Sequence, residues 1–306
     1  MRELDFIKWI KKQSKCKKPV LVGIGDDSAV IDVRNTKSFV ITTDTLLDGT
    51  HFEQKKCSPK QIGRKAIASS ISDIAAMGCK PVYALISISI PSSSSTEYCN
   101  QIYNGILDIT NKYDVQIIGG DIVSGDCPLS INVTIIGTAA ERKPVLRSGA
   151  KVGDIVMVTG KLGGSILGKH LQVEPRVDEG IILNKDFHVN SMIDISDGLL
   201  IDLHHILEES NVGAVIDEHC IPVSRDAIKL SRTTKKSPIS HAMTDGEDYE
   251  LLFTVTKTNA VKIARSKIFN IPLTEIGYIQ KGNGLFVRDT NGGKRLVSPK
   301  GYEHLV

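Results

Sequence analysis

The chain has 306 residues, 41% hydrophobic and 24% charged, with a net charge of +3. That length accommodates two domains or one large one, buries a real core without a disulfide scaffold, and its small charge gives no reason to expect nucleic acid or an anionic membrane as partner. Six scattered cysteines (Cys16, Cys57, Cys79, Cys99, Cys127 and Cys220) form no C-x-x-C, which argues against structural zinc and fits free thiols in a reducing cytoplasm.

Leu4, Ile7, Trp9 and Ile10 predict a short amphipathic helix in a charged leader without a signal-peptide centre. No apolar run approaches membrane-spanning length, so a soluble cytoplasmic protein is expected. Pro19 to Val22 reads as the end of a buried strand, followed by GIGDDSAV, Gly23 to Val30. FVITTDT, residues 39–45, is a strand rich in β-branched residues. Ser58 as N-cap and Pro59 at the first helical position open a helix that stops at Gly78. VYALISISI is a strand, the serine run from Ser92 leads into a helix ending near Tyr113, and VQII and LSINVTIIGTAA are strands. Glu141 to Asp154 looks like a crossing between halves, which places the domains at residues 1–140 and 141–306. Beyond it come the strand IVMVT, a helix near Val177 to Lys185, the strand SMIDI, a helix ending at Ser210, and strands in AVID, YELLFTV, LTEIGYI and LFVRD. Strands and helices mix in both halves, so the fold class is α/β or α+β.

Acids recur where apolar runs end. Asp26 and Asp27 are adjacent, Asp44 follows FVITT, Asp121 follows VQIIGG, Asp194 and Asp197 lie in IDISDG, and Asp245, Glu247, Asp248 and Glu250 crowd TDGEDYE. Loops favour Asp and Gly in any case, but the recurrence points to a shared site. Asp73 is sharper: it sits near the C-terminal, negative end of its helix, unfavourable by about 0.3–1 kcal/mol. The alternatives are an exposed, tolerated acid or one offset by a cation. Carboxylates 4 Å apart repel by about 4 kcal/mol at an effective dielectric near 20, so clustering them needs protons or cations. Oxygen ligands without His/Cys spacing favour Mg²⁺ or Ca²⁺, and the absent D-x-D-x-D-G loop leaves Mg²⁺ ahead. Mg²⁺ commonly shares its shell with phosphates, which points to a nucleotide. Gly163 to His170, GGSILGKH, nearly reads as a phosphate-binding loop, but His170 stands where a metal-binding hydroxyl is required.

GIGDDSAV, TTDTLLDGTHF, SISDIAAMG, IIGGD, RSGAKVGD, VTGKLGG, IDISDGL, GEDYELLF and KGYEHL, taken in order, resemble the thiamine-monophosphate kinase family over nearly the whole chain. GIGDD and IDISDGL alone indicate only the wider ATP-dependent superfamily of aminoimidazole ribonucleotide synthetase, selenophosphate synthetase and a hydrogenase maturation protein. The resemblance implies an N-terminal α/β domain that pairs with a second subunit into a barrel, giving a homodimer, and a C-terminal α/β domain packed against it. It implies Mg²⁺-dependent transfer of the ATP γ-phosphoryl group to thiamine monophosphate, giving thiamine diphosphate and ADP. It also implies that Asp27, Thr42, Thr43, Asp44, Asp73 and Asp121, with Asp194 and Asp197, are metal ligands. Gly120, Asp121, Arg147 and Ser196 then fall at ATP positions, His51 and Glu247 at thiamine-phosphate positions, and Tyr302 against the thiamine. An ionised phosphate acceptor needs no general base, and none is assigned.

From the residues alone, Asp26 is a metal neighbour or an acid bonding backbone, His51 a substrate contact or a turn cap, Arg147 a phosphate contact or a salt bridge across the halves, and Tyr302 a thiamine contact or plain packing. His204 and His205 on one helix read as structural. The family usually carries a longer helical stretch between VTGKLGG and the segment His170 to Arg176, here nearly adjoining. That shortening bears on the local helices and the pocket rim. Two other readings remain: another synthetase of the superfamily, or a nucleotide-binding regulator without catalysis. Cys16 lacks the glycine-rich setting of a selenophosphate synthetase, and the end HLV is not a cysteine tail.

Overall fold

Ser58 caps a helix through its side chain, and the side chain of Gln61 accepts the Ser58 backbone N–H at 2.9 Å. This reciprocal cap and Pro59 start α1 (Pro59–Ala76), and Gly78 at φ +62° ends it. Nearly every side of α1 is apolar or small, and nearly every side is covered, the signature of a helix inside a protein rather than on it.

The computed structural model describes residues 18–23, 26–32, 38–139 and 142–302. The helix expected near Leu4 to Ile10, Cys16, Ile24, Gly25 and the boundary at 140–141 lie outside the described residues. The first sheet comprises β1 (Val20–Val22), β2 (Ala29–Ile31), β3 (Phe39–Leu47), β4 (Lys80–Pro91), β5 (Gln116–Gly125) and β6 (Ser130–Thr138) in the order β1-β2-β3-β6-β4-β5. Only the β4–β5 pair is parallel. On β6, Ile131, Val133 and Ile135 alternate onto the face covered by α1 and α2 (Thr96–Lys112). The two helices approach closely: a Cβ on Gly63 would lie 1.9 Å from the Ile102 carbonyl oxygen.

The second sheet holds β7 (Ile155–Thr159), β8 (Ser191–Asp194), β9 (Gly213–Asp217), β10 (Leu251–Val255), β11 (Leu273–Gln280), β12 (Leu285–Arg288) and β13 (Lys294–Val297). Their order is β13-β12-β9-β11-β7-β10-β8, antiparallel except for β12 against β9. The central strands β7 and β10 are buried throughout, which explains their unbroken apolar sequences. α4 (Leu199–Ser210) and α6 (Pro238–Thr244) contribute to the core on one face, α3 (Val177–Lys185) and α7 (Lys257–Arg265) to the core on the other. The short α5 (Arg225–Leu230) completes the helices. The fold is thus mixed α/β with two sheets. α1 joins them: a Cβ on Gly180 of α3 would meet the Ala75 carbonyl at 2.2 Å, and Ala76 belongs to the core of the second sheet. Among the described residues no helix is long and apolar enough to cross a membrane.

The structure corrects two details and shows what a third segment forms. Pro19 to Val22 is not a buried strand end: β1 is a sheet edge, and Leu21 is 56% exposed. Asp121 does not follow its strand but lies within it, because β5 continues through Gly119 and Gly120 along β4. The sequence GGSILGKH forms two 3-10 turns, Ser165–Leu167 and Lys169–Leu171, after a strand. Its N–H groups face protein carboxylates instead of a phosphate: Gly163 donates to Asp248 at 2.7 Å and Gly164 to Asp245 at 3.1 Å.

Candidate active site

α1 carries Lys65, Ser69 and Asp73 along one stripe, with Ser70 turned to the first sheet and Ser72 to the second. Asp73 is met by Asp27, just before β2, and by Asp194, the last residue of β8. One oxygen from each of these three carboxylates lies within 4.8 Å of the others. Hydroxyls hold the set. Thr42 donates to Asp73 at 2.5 Å, Ser72 to Asp194 at 2.6 Å, and Ser70 to Asp44 at 3.0 Å. Burial pushes the Asp194 carboxyl up to about 7, and Asp27 adds to the rise. Burial followed by Asp44, Asp194 and Asp27 pushes Asp73 well above the carboxylate range, and burial also raises Asp44. The buried Oδ2 of Asp27 has no hydrogen-bond partner. An all-oxygen set with an orphaned carboxylate oxygen and mutual repulsion fits a hard divalent cation.

Asp26 takes the backbone role: it accepts from the N–H of Asp27 at 3.0 Å and of Arg147 at 3.2 Å. Burial and Asp27 push its carboxyl up to about 7. Arg147 reaches from the second half to Asp27 Oδ1 at 2.7 Å, with its Nε buried and unpartnered. Lys65 does not turn to Asp73. Its Nζ donates to the His51 carbonyl at 2.6 Å and pairs with Glu247. His51 does cap a turn, its Nδ1 accepting the Leu47 N–H at 3.1 Å.

A cleft of about 570 Å³ opens beside the cluster, lined from the first half by Asp44, His51, Ser69 and Asp73, and from the second by Ser196, Asp197, Asp245, Glu247, Tyr249 and Tyr302. Its second wall is a strained loop. Glu247 and Tyr249 sit at φ +61° and +50°, a region costly for side-chain-bearing residues. Glu247 N–H to Ser196 O at 2.7 Å, Tyr249 N–H to Ile195 O at 2.8 Å and Ser165 Oγ to Glu247 O at 2.6 Å hold it. Ile166 of the shortened segment lies on the rim. The Tyr302 N–H donates to the Asp197 carbonyl at 3.0 Å.

Three expected residues stand elsewhere. Alternation along β3 turns Thr42 and Asp44 toward α1 but Thr43 to the opposite face, where it meets Thr134 at 3.0 Å. Asp121 pairs in register with Ser87, Asn132 and Thr45, so these share that open face, three strands from β3. Gly120 precedes it, and a Cβ there would lie 1.9 Å from the Ile86 carbonyl oxygen. Sequence reasoning missed Ser70, Ser72 and Asp202. The serines were signalled only by polarity inside an Ile/Ala helix. Asp202 accepts the N–H groups of Asp197 at 3.2 Å and Gly198 at 2.9 Å, fixing the IDISDG turn.

Residues 25–139 match the AIR synthase related protein, N-terminal domain, and residues 122–290 match its C-terminal domain. Along its length the sequence is 39% identical to the thiamine-monophosphate kinase of Rhodopirellula baltica, over 99% of this chain and 97% of that one. The chain belongs to the thiamine-monophosphate kinase family. The Bacillus subtilis member is 33% identical over 99% of both chains. A solved structure described as AaThiL complexed with AMPPCP and TMP superposes with a TM-score of 0.86 at 32% identity, over 99% of this chain and 97% of that one. The hydrogenase maturation protein HypE, at 18% identity and a TM-score of 0.74 over 90% of this chain and 92% of its own, shares the fold alone.

Proposed function

We propose that this chain transfers the γ-phosphoryl group of ATP to thiamine monophosphate, giving thiamine diphosphate and ADP, with Mg²⁺. The observation that carries the reading is the meeting of Asp27, Asp73 and Asp194 within 4.8 Å beside a cleft built from both halves. Full-length identity of 39% with a thiamine-monophosphate kinase supports it.

Mg²⁺ bound at Asp27, Asp73, Asp194 and the adjoining Asp44 would neutralise phosphate charge. The chain's own work is positioning. Thr42, Ser70 and Ser72 aim the carboxylates, and Arg147 steadies Asp27. His51, Glu247 and Tyr302 line the cleft and are assigned to the acceptor, Ser196 and Arg147 to ATP, and Asp197 to a further metal contact. The acceptor's phosphate oxygen forms a bond to the γ-phosphorus as the bond to the bridging oxygen breaks. No proton need leave, so no base is required. Gly120, Asp121 and Thr43 are assigned to the nucleotide and its metal from the open face of the first sheet.

We also propose a homodimer, closed over that open face into a barrel. Edge strand β5 exposes Ile118, Ile122 and Val123, an unusual display for a solitary sheet edge. The division at residues 1–140 and 141–306 and a cytoplasmic location complete the proposal.

The test is to incubate the full chain with ATP, MgCl₂ and thiamine monophosphate and to resolve the products by chromatography. Equal amounts of ADP and thiamine diphosphate are expected. No ADP, or phosphoryl transfer only to a different acceptor, overturns the reading.

A further inference from the structure

Lys65 is among the largest fully buried side chains described, 1% exposed in the middle of α1. A buried ammonium is unfavourable unless its charge and protons are matched. Lys65 is matched from two directions: the His51 carbonyl accepts at 2.6 Å, and the Glu247 carboxylate, 182 positions along the chain, pairs through Oε1. Those partners are two of the residues assigned above to the acceptor, one from each half of the molecule.

We infer that Lys65 is a positioning residue for the acceptor subsite: one buried ammonium that fixes the His51 loop and the Glu247 side chain in register across the cleft. The inference rests on the functional reading above. Three observations support a positioning role over simple packing. Glu247 is 30% exposed and lines the cleft, so without Lys65 its carboxylate can swing into water instead of collapsing the core. Its backbone is already clamped by Ser196 and Ser165, which leaves the side-chain direction as the one freedom that Lys65 settles. The hydroxyl-held carboxylates of the metal cluster take no bond from Lys65, so ATP and metal binding do not depend on it directly. Lys65 also places a positive charge close to a cleft lined with Asp44, Asp73, Asp197 and Asp245.

The experiment is a double-mutant cycle on the full chain: wild type, Lys65→Met, Glu247→Gln and the pair, each assayed with ATP, MgCl₂ and varied thiamine monophosphate. Lys65→Met is expected to raise the KM for thiamine monophosphate at least ~10-fold while the KM for ATP changes less than ~2-fold. The double variant is expected to be no worse than the worse single variant, because both remove the same constraint. If Lys65→Met does not fold, the double variant, which leaves no unpaired carboxylate, is compared with Glu247→Gln: an equal KM for thiamine monophosphate is expected, and a further rise overturns the inference. Equal effects on both substrates, a fall in kcat alone, or additive effects overturn the inference while the functional reading stands. A wild-type chain that releases no ADP overturns both.

Discussion

Asp73 shows the conflict between stability and chemistry most directly. Its carboxyl is raised by burial and by three neighbouring acids, so the ion-free fold carries repulsion that its helix would shed with a neutral side chain. Asp73→Asn should raise the stability of the metal-free chain by about 0.5–2 kcal/mol and lower turnover by at least ~10²-fold. The same change should remove most of the rise in melting temperature that MgCl₂ produces in the wild type. Melting curves with and without MgCl₂, beside the product assay, check all three. A variant that melts lower in metal-free buffer would mean that Asp73 is a structural acid after all. Arg147 illustrates the opposite balance. Its pairing with Asp27 at 2.7 Å leaves Asp27 Oδ2 free for other work.

At the scale of elements, the segment 163–176 and strand β10 depend on one ion cluster. Glu250, 1% exposed just before β10, accepts two bonds of 2.7 Å from Arg176 and one of 2.9 Å from Lys169. Burial alone would raise this carboxyl, yet Arg176 and Lys169 hold it below its ordinary value. Its stabilisation is therefore complete above the unfolded value of 4.5 and is lost as pH falls through the lower, folded value. Glu250→Gln should cost about 1–3 kcal/mol near neutral pH, since it leaves two partly buried cations short of a charged partner. It should also flatten the acid limb of the stability profile, which urea unfolding between pH 7 and 3 measures. These long-range partners show where sequence stops being legible. α1, α2 and α4 were readable because caps and apolar periodicity are local. α5, α6 and β13 were not, being four to seven residues long and set by what they pack against. β5 reads as ending before GGD because glycines punctuate sequences, whereas β4 holds it straight. In the site, the acids at strand ends were visible as a recurrence, and the family resemblance named them. The bonds from Ser72 to Asp194 and from Lys65 to Glu247 span 122 and 182 positions, and no local pattern encodes them.

For the whole molecule, the exposed edge strand of the first sheet bears on assembly. Ile122 on edge strand β5 is 70% exposed. If a second copy covers it, Ile122→Lys buries an unmatched charge and should weaken self-association at least ~10-fold, without disturbing the Asp27–Asp73–Asp194 cluster. Sedimentation of wild type and variant over a range of concentrations reads this directly. A wild type that sediments as a single chain at every concentration removes the dimer.

The central placement of α1 has a consequence for biosynthesis. This helix lends Ala76 to the second core, while Val173, Val177 and Tyr249 join the first. A nascent chain emerging from the ribosome can assemble the first sheet early, yet it must leave one flank of that helix bare until Tyr249 has been translated. Asp194 emerges before Tyr249, yet its strand β8 pairs only with β10, so an interrupted translation product holds neither a finished interior nor a working centre.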